Sequence, residues 1–224
     1  MRLIGTAAAL LLIATTAQAT SVSYTGIELS EGTETIGFTD VTVAKPELLL
    51  TATATDGGVI RTYDVLGEQG LYIGAVRQGP FTTSNTTAPA SGTYTLGFDK
   101  AVTEITFSLD YLTNLFGPSE TISDFRVDGT LIDLTSANYT GTTTSLDDVT
   151  DVISTTVRRG TGVFTYSGGP FSSLSFVHEQ NPRNIGFTIT SLDVTLAPIP
   201  LPAGLPLLLA GLGGLALMAR RKHS

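Results

Sequence analysis

The chain offers few side chains that could serve as a nucleophile or a general base. It has no Cys and two His, and only His178 lies away from the C-terminal end. A cysteine protease is therefore excluded, and any Ser-His-Asp triad would have to use His178. Since His178 directly follows the apolar pair Phe176-Val177, we predict a surface histidine at a strand end and no catalytic residue.

Acidic residues allow two other kinds of site. Carboxylates from distant positions can converge for glycoside hydrolysis, although sugar-cleaving sites also tend to need aromatic platforms and the chain has no Trp. Calcium takes six to eight oxygen ligands and needs no nitrogen or sulfur, so a structural ion is the second option. Two candidate sets are Asp147, Asp148 and Asp151 in a Thr-rich segment, and Glu28 or Glu31 together with Asp193. A solvated acidic loop is the alternative for both sets.

Sugar binding would need a ring to stack against and polar groups beside it. Four tyrosines are candidate platforms, with an ordinary core position as the alternative for each: Tyr72, Tyr94, Tyr139 and Tyr166. Asn85 and Asn138 each begin an Asn-X-Thr glycosylation pattern, which is informative only in a host that glycosylates. The Thr- and Ser-rich stretch Gly79–Gly92 is predicted to be a loop.

Composition favours strands over helices. Of 224 residues only 14% are charged and 24 are Gly, while Thr fills about one position in six, which suits pleated strands joined by tight turns. Within residues 20–197 there are 8 basic and 20 acidic residues, a formal charge of 8 minus 20, or −12. Such a surface repels nucleic acid and anionic lipid, so neither is a predicted partner. With no Cys there is also no disulfide to stabilise an exported fold.

Residues 1–19 have the layout of a secretory signal peptide. A positive charge at Arg2 precedes an apolar run, and the segment ends in Ala17-Gln18-Ala19. Small residues at Ala17 and Ala19 fit a signal peptidase, and the apolar run is too short to span a bilayer. We predict cleavage before Thr20 and an exported domain over residues 20–197.

The segment 198–224 has the layout of a membrane-directed tail. Its Pro-rich start leads into an uncharged stretch over 203–219, which is about 25 Å long as a helix and thus at the lower limit for spanning a bilayer. The basic cluster Arg220, Arg221 and Lys222 follows and is expected to stay cytoplasmic. This predicts a transmembrane helix with the folded domain outside the inner membrane.

The tail resembles the PEP-CTERM class of sorting signals, in its VPLPA variant. The motif reads Ile199, Pro200, Leu201, Pro202 and Ala203, with Ile in place of Val, ahead of the Gly-rich apolar segment and the basic end. The resemblance implies processing by an exosortase, a membrane-embedded cysteine protease or transpeptidase of Gram-negative bacteria that make exopolysaccharide. The tail would then be removed, as a GPI signal is. A permanent anchor is the alternative.

Alternation of apolar and polar residues predicts strands along the exported region. It is clearest in Val102–Tyr111 and again over 185–196, where a slip at Thr190–Ser191 predicts a β-bulge. Asp56-Gly57-Gly58 and Val127–Thr130 are predicted hairpin turns. Further strands are predicted at Val22–Ile27, Leu48–Ala54, Val59–Tyr63, Leu71–Val76, Thr93–Phe98, Ile122–Val127, Val152–Val157, Val163–Tyr166 and Leu174–Val177.

These short strands predict an all-β fold, an antiparallel β-sandwich of jelly-roll type. A β-helix is the alternative, but no fixed repeat is visible. The run Gly70–Gly74 followed by Tyr94–Phe107 resembles the body of many PEP-CTERM proteins, which supports the sandwich without assigning an activity.

Three functions remain open at this point. The leading one is a non-enzymatic exported protein with a structural or adhesive role in the envelope or extracellular matrix, linked to exopolysaccharide. It would pass through the inner membrane and end at the cell surface or outside the cell. The alternatives are a carbohydrate-binding module and a secreted hydrolase, which would require two close carboxylates or an acid beside His178.

Overall fold

The structure is a computed structural model that describes residues 19–34, 39–65, 68–75, 90–114, 120–180, 186–199 and 211–212. The chain divides into two units, one of Thr20–Ala197 and one of Met1–Ala19 with Pro198–Ser224. Of the second unit, only Ala19, Pro198, Ile199 and Gly211–Leu212 are described.

Several predictions fall on residues that are not described. Ala17, the motif residues Pro200–Ala203, the basic residues Arg220, Arg221 and Lys222, and the acceptor Asn85 are among them. Among the described residues no helix is long and apolar enough to cross a membrane. The predicted apolar helix over 203–219 lies outside that part of the chain except for Gly211 and Leu212.

Strands dominate the described part of Thr20–Ala197, which confirms the predicted all-β class. In chain order the elements are β1 (Ser21–Thr25), α1 (Gly26–Ser30), β2 (Thr33–Glu34), β3 (Asp40–Ala44), β4 (Leu49–Thr55), β5 (Gly58–Val65), β6 (Glu68–Ala75), β7 (Ala90–Leu112), β8 (Thr121–Val127), β9 (Thr130–Leu131), β10 (Tyr139–Gly141), β11 (Thr144–Asp147), β12 (Val152–Thr155), β13 (Gly160–Gln180) and β14 (Phe187–Leu196).

The local predictions have mixed outcomes. The predicted bulge is confirmed, because the register of β14 on β7 shifts between Ile189 and Ser191. The Val127–Thr130 hairpin is confirmed as well, with these two residues paired across the turn. The turn at Asp56-Gly57 exists, with positive φ at both residues. However, it does not make a hairpin, since β4 pairs with β3 and β7 whereas β5 pairs with β6.

Two predictions are corrected near the ends of strands. The predicted strand Val22–Ile27 ends at Thr25, and α1 begins at the next residue, Gly26. The helix starts there because Thr25 and Glu28 form a capping box, in which each side chain bonds the backbone N–H of the other residue. The predicted loop Gly79–Gly92 is also too long, because β7 already includes Ala90–Gly92.

Strands β7 and β13 organise the fold. They pair with each other antiparallel from Gly160↔Leu112 to Gln180↔Ala90, with register shifts around Phe171. The first half of β7 pairs with β4, and its second half pairs with β14. Each long strand therefore merges two predicted strands and runs through two hydrogen-bonded layers.

We call these layers the first and second sheets. The first sheet has the order β2-β3-β4-β7-β13-β8-β12-β11, using the first half of β7 and the second half of β13. The second sheet uses the other halves in the order β10-β13-β7-β14, and β14 continues to β1 and to β6-β5. All these strands belong to one continuous hydrogen-bonded network.

Aromatic rings from the two sheets pack against each other in the interior. Phe125 of β8 stacks on Phe164 of β13, with ring centres 4.7 Å apart. Phe176 lies near both Phe107 and Phe187 of the second sheet, with ring centres 6.3 and 6.2 Å away. Since these five rings are almost completely buried, the described unit has a sandwich-like core.

Candidate functional site

His178 is a core residue, so the predicted surface histidine is wrong. It lies on β13 with only 1% of its surface exposed. Its ring meets Phe187 edge-on, with centres 5.1 Å apart, and lies 6.2 Å from the ring of Tyr94. The strand continues to Gln180, beyond the predicted end at Val177. His178 consequently shares the inward face of its neighbour Phe176 two residues earlier.

A buried carboxylate lies beside this histidine. Glu120 is fully buried and accepts hydrogen bonds from the backbone N–H groups of Gly186 (2.8 Å) and Thr113 (2.9 Å). Its Oε2 lies 3.9 Å from Nε2 of His178. This separation exceeds hydrogen-bond distance, and Nε2 has no hydrogen-bond partner among the described residues. We call Glu120 and His178 the buried pair.

The buried pair satisfies only part of what hydrolysis would need. An acid does lie beside His178, but both side chains are at least 99% buried. A general base has to reach a proton of the substrate directly or through one water. Glu120 instead joins the backbone after β7 to the backbone before β14, so its role is to stabilise one end of the sandwich. Sequence reasoning missed Glu120, which has no local pattern to distinguish it from an exposed acid.

A second polar cluster surrounds the end of β7. Asp110 accepts hydrogen bonds from the backbone N–H of Tyr111 (2.7 Å) and from Nε of Arg159 (2.9 Å). The guanidinium carbon of Arg159 lies 4.3 Å from the centre of the Tyr111 ring, a cation–π geometry. Tyr111 has a φ of 68°, which is costly for a bulky side chain. The cluster holds this strained residue in place.

Neither predicted calcium set assembles into a metal site. Asp147 accepts a hydrogen bond from the backbone N–H of Val149, which helps to lower the pKa of its carboxyl. Asp151 accepts one from the backbone N–H of Leu134 at 2.8 Å. The Asp147 carboxylate thus stabilises a turn, the Asp151 carboxylate joins two separate segments, and Asp148 is exposed beside them.

The other set is also dispersed. Glu28 forms a salt bridge to Lys45 at 2.7 Å, while Glu31 follows α1 and Asp193 is exposed on β14 opposite Ser23. Within the described residues, no three His, Asp or Glu side chains form a group that could hold a metal ion.

The four predicted sugar platforms belong mainly to the core. Tyr72, Tyr94 and Tyr139 are at most 6% exposed, so none of them can present a ring face to a sugar. Burial also raises the pKa of Tyr139 to about 12. Tyr166 is partly exposed, but its ring packs edge-on against Phe171. The Asn138 side chain is occupied by hydrogen bonds to Thr135 and Thr165.

The outer side of the first sheet carries a regular array of hydroxyl groups. Along β4, Thr51, Thr53 and Thr55 alternate with the buried residues Ala52 and Ala54. Register places Thr42 beside Thr51, and it aligns Thr53, Thr95 and Ser175 across three strands. We define the hydroxyl face as the partly exposed residues Thr42, Thr51, Thr53, Thr95 and Ser175.

Hydroxyl groups at the margin of this face differ from those at its centre. Thr55 and Thr93 both donate to Oδ2 of Asp56, at 3.0 and 2.9 Å. Within the described part of the chain, none of the five side chains of the hydroxyl face makes a hydrogen bond to another protein group. The alternation Thr51-Ala52-Thr53-Ala54-Thr55 was a visible signal for this surface, but its neighbours on β3, β7 and β13 depend on long-range register.

The first and last strands of the folded unit pair with each other. Strand β1 lies antiparallel to β14, with Ser21 opposite Thr195. The carbonyl of Thr20 accepts a hydrogen bond from the N–H of Leu196 at 2.8 Å, and the N–H of Ala197 donates to Ala101 at 2.9 Å. Beyond this pairing, Ile199 of the predicted motif is 80% exposed.

Comparison of the chain with protein-family models, with curated proteins and with solved structures finds no match in any of the three. Its function therefore has to be inferred from its own residues and their geometry.

Proposed function

We propose that the protein is a non-enzymatic exported component of the cell envelope or extracellular matrix, with a structural or adhesive role. An N-terminal signal peptide would direct it across the inner membrane, and its C-terminal tail would be handled by an exosortase-type membrane enzyme. In this proposal Thr20–Ala197 is a jelly-roll-type sandwich that remains at the cell surface or outside the cell. Pairing between strands that are distant along the chain supports that architecture.

The pairing of β1 with β14 carries this proposal. Cleavage before Thr20 would leave every backbone pair from Ser21↔Thr195 to Thr25↔Ser191 in place. Cleavage within the motif would likewise keep the hydrogen bond that the N–H of Ala197 donates to Ala101, the last one described along the chain. Processing at both ends would thus keep the described pairing of β1 with β14, and the exposed Ile199 would be accessible to an enzyme.

The membrane steps rest on the tail. While the apolar segment is present, the cationic end Arg220-Arg221-Lys222 would hold it across the inner membrane. Removal of that segment would release the domain from the bilayer. The strongly acidic folded unit would then stay soluble and would avoid anionic lipid.

Intact mass and cell fraction in the native host test this proposal. We expect the wild-type protein in the outer fraction or the medium. Its mass should correspond to a chain that starts at Thr20 and ends near Pro200 to Ala203. The double variant Pro200→Ala/Pro202→Ala should retain Arg220–Ser224 and stay in the inner membrane. Pro198→Ala is the matched control outside the motif and should be processed normally. A wild-type mass that corresponds to a chain still containing residues 220–224 would overturn the proposal.

A further inference from the structure

The hydroxyl face has the regular spacing of the sheet that carries it. Neighbouring strands are separated by about 4.8 Å, and alternate residues of one strand by about 6.8 Å. Thr53, Thr95 and Ser175 follow the first spacing, and Thr51 and Thr53 follow the second. The face therefore offers donors and acceptors that repeat in two directions.

A glycine leaves the centre of this face open. Gly97 lies between Thr51 and Ser173 in register and is partly exposed. A Cβ added there would meet only the backbone oxygen of Thr51, at 3.5 Å, among atoms within 4 Å. The backbone is therefore accessible in a shallow depression bordered by hydroxyl groups.

Charge limits what could bind to this surface. The five residues that define the face are uncharged, and the nearest charged neighbours in the same row are Asp40 beside Thr53 and Arg126 beside Ser175. Residues 20–197 carry a formal charge of 8 minus 20, or −12. A polyanion would therefore be repelled by the unit as a whole. An uncharged ligand rich in hydroxyl groups matches both the face and the overall charge.

The twist of the sheet favours a flexible polymer chain as the ligand over a flat crystalline surface. Adjacent strands of a sheet are rotated by about 20 to 25°. Over the four strands β3, β4, β7 and β13, such a twist prevents simultaneous contact with a rigid crystalline plane. A polymer chain can follow the twist and repeat the same weak contacts along its length, which raises its overall affinity.

We infer that the hydroxyl face binds an uncharged polysaccharide chain. Hydroxyl groups of the sugar exchange hydrogen bonds with Thr53, Thr95 and Ser175, and threonine methyl groups supply apolar contact. This inference gives the proposed adhesive role a ligand. It rests on the proposed function only for the location, outside the inner membrane, at which the protein meets the polymer. It also moves the expected sugar contacts away from the buried tyrosines.

Affinity electrophoresis of the full chain tests the inference. The native gels contain a polyoxyethylene detergent without a sugar head group and one of three polymers: hydroxyethyl cellulose, dextran or alginate. We expect at least one of the two neutral polymers to retard the protein and alginate not to. The variant Thr53→Val/Thr95→Val removes two hydroxyl groups with little change of shape, and it should weaken the retardation at least five-fold.

The matched control lies on the second sheet. Thr106 and Thr165 hydrogen-bond to each other at 3.1 Å, so Thr106→Val/Thr165→Val should leave retardation unchanged. Failure of both neutral polymers to retard the wild type would overturn the inference, as would equal retardation of the Thr53→Val/Thr95→Val variant. Neither result bears on whether the tail is cleaved in the host, so the two proposals can fail separately.

Discussion

Glu120 in the buried pair accepts two backbone hydrogen bonds, whereas Thr53 on the hydroxyl face makes none with its side chain. The difference follows from burial. A polar atom without water must find a protein partner, or it costs about 1 to 3 kcal/mol. On the outer face water supplies the partner, so the protein can leave hydroxyl groups uncommitted at no cost to the fold. Such groups remain available to a ligand.

The buried pair should therefore be the more sensitive of the two regions. Glu120→Ala leaves the N–H groups of Gly186 and Thr113 without their acceptor, and we expect a loss of about 2 to 4 kcal/mol in the free energy of unfolding. Urea denaturation of the full chain measures it. The control Glu104→Ala, on the exposed side of β7, should change stability by no more than about 0.5 kcal/mol. Equal losses of unfolding free energy in the two variants would contradict the expected difference between buried and exposed carboxylates.

Thr188 tests the same reasoning with a substitution that should raise the free energy of unfolding. It is fully buried on β14, and its hydroxyl oxygen has no hydrogen-bond partner among the described residues. Thr188→Val replaces that hydroxyl by a methyl group of similar shape, so we expect a gain of about 1 kcal/mol. Thr53→Val on the hydroxyl face should stay within about 0.5 kcal/mol of the wild type. A loss of stability in Thr188→Val would contradict this account.

Glu28 is a partly exposed acid whose carboxylate nevertheless bonds to protein groups. Hydrogen bonds from Lys45 and from the backbone of Thr25 lower the pKa of Glu28 from 4.5 to about 2. Because the folded pKa is depressed, its stabilising contribution is present above about pH 4.5 and is lost as the pH falls towards about 2.

Melting temperatures across that pH window should decline, and Glu28→Gln should make the decline slightly smaller, because other carboxylates with lowered pKa values, such as Asp147, still titrate there. Glu31→Gln is the control, since its side chain forms no hydrogen bond or ion pair among the described residues, and it should leave the decline intact. An unaltered decline in Glu28→Gln would show that the Glu28 carboxylate contributes nothing to stability in this pH range.

Local patterns predicted much of the fold. The alternation in Val102–Tyr111 and the turn at Asp128-Gly129 depend on neighbouring residues alone, and both features are present. The predicted strand ends at Val177, whereas β13 continues to Gln180. His178 is therefore predicted at the surface, although alternation within a longer strand would put it on the same side as Phe176. The capping box that ends β1 at Thr25 was also overlooked, although its residues are three apart in the sequence.

The candidate site was harder to predict because its parts meet only through long-range pairing. Thr53, Thr95 and Ser175 become neighbours through the registers of β4, β7 and β13, and none of those registers can be read from one strand alone. For the same reason Glu120 could not be paired with His178, since the two residues are 58 positions apart. The core tyrosines, by contrast, already had a buried position as their alternative.

The most direct test of the hydroxyl face is a substitution that fills it without touching the interior. Gly97→Leu places a side chain in the central depression, where the space for a Cβ is already present. Because glycine weakens strands, the melting temperature should be unchanged or higher. We predict that retardation by the neutral polymer is lost in this variant. Retardation equal to that of the wild type, in a protein that melts normally, would contradict the assignment of polysaccharide binding to this face.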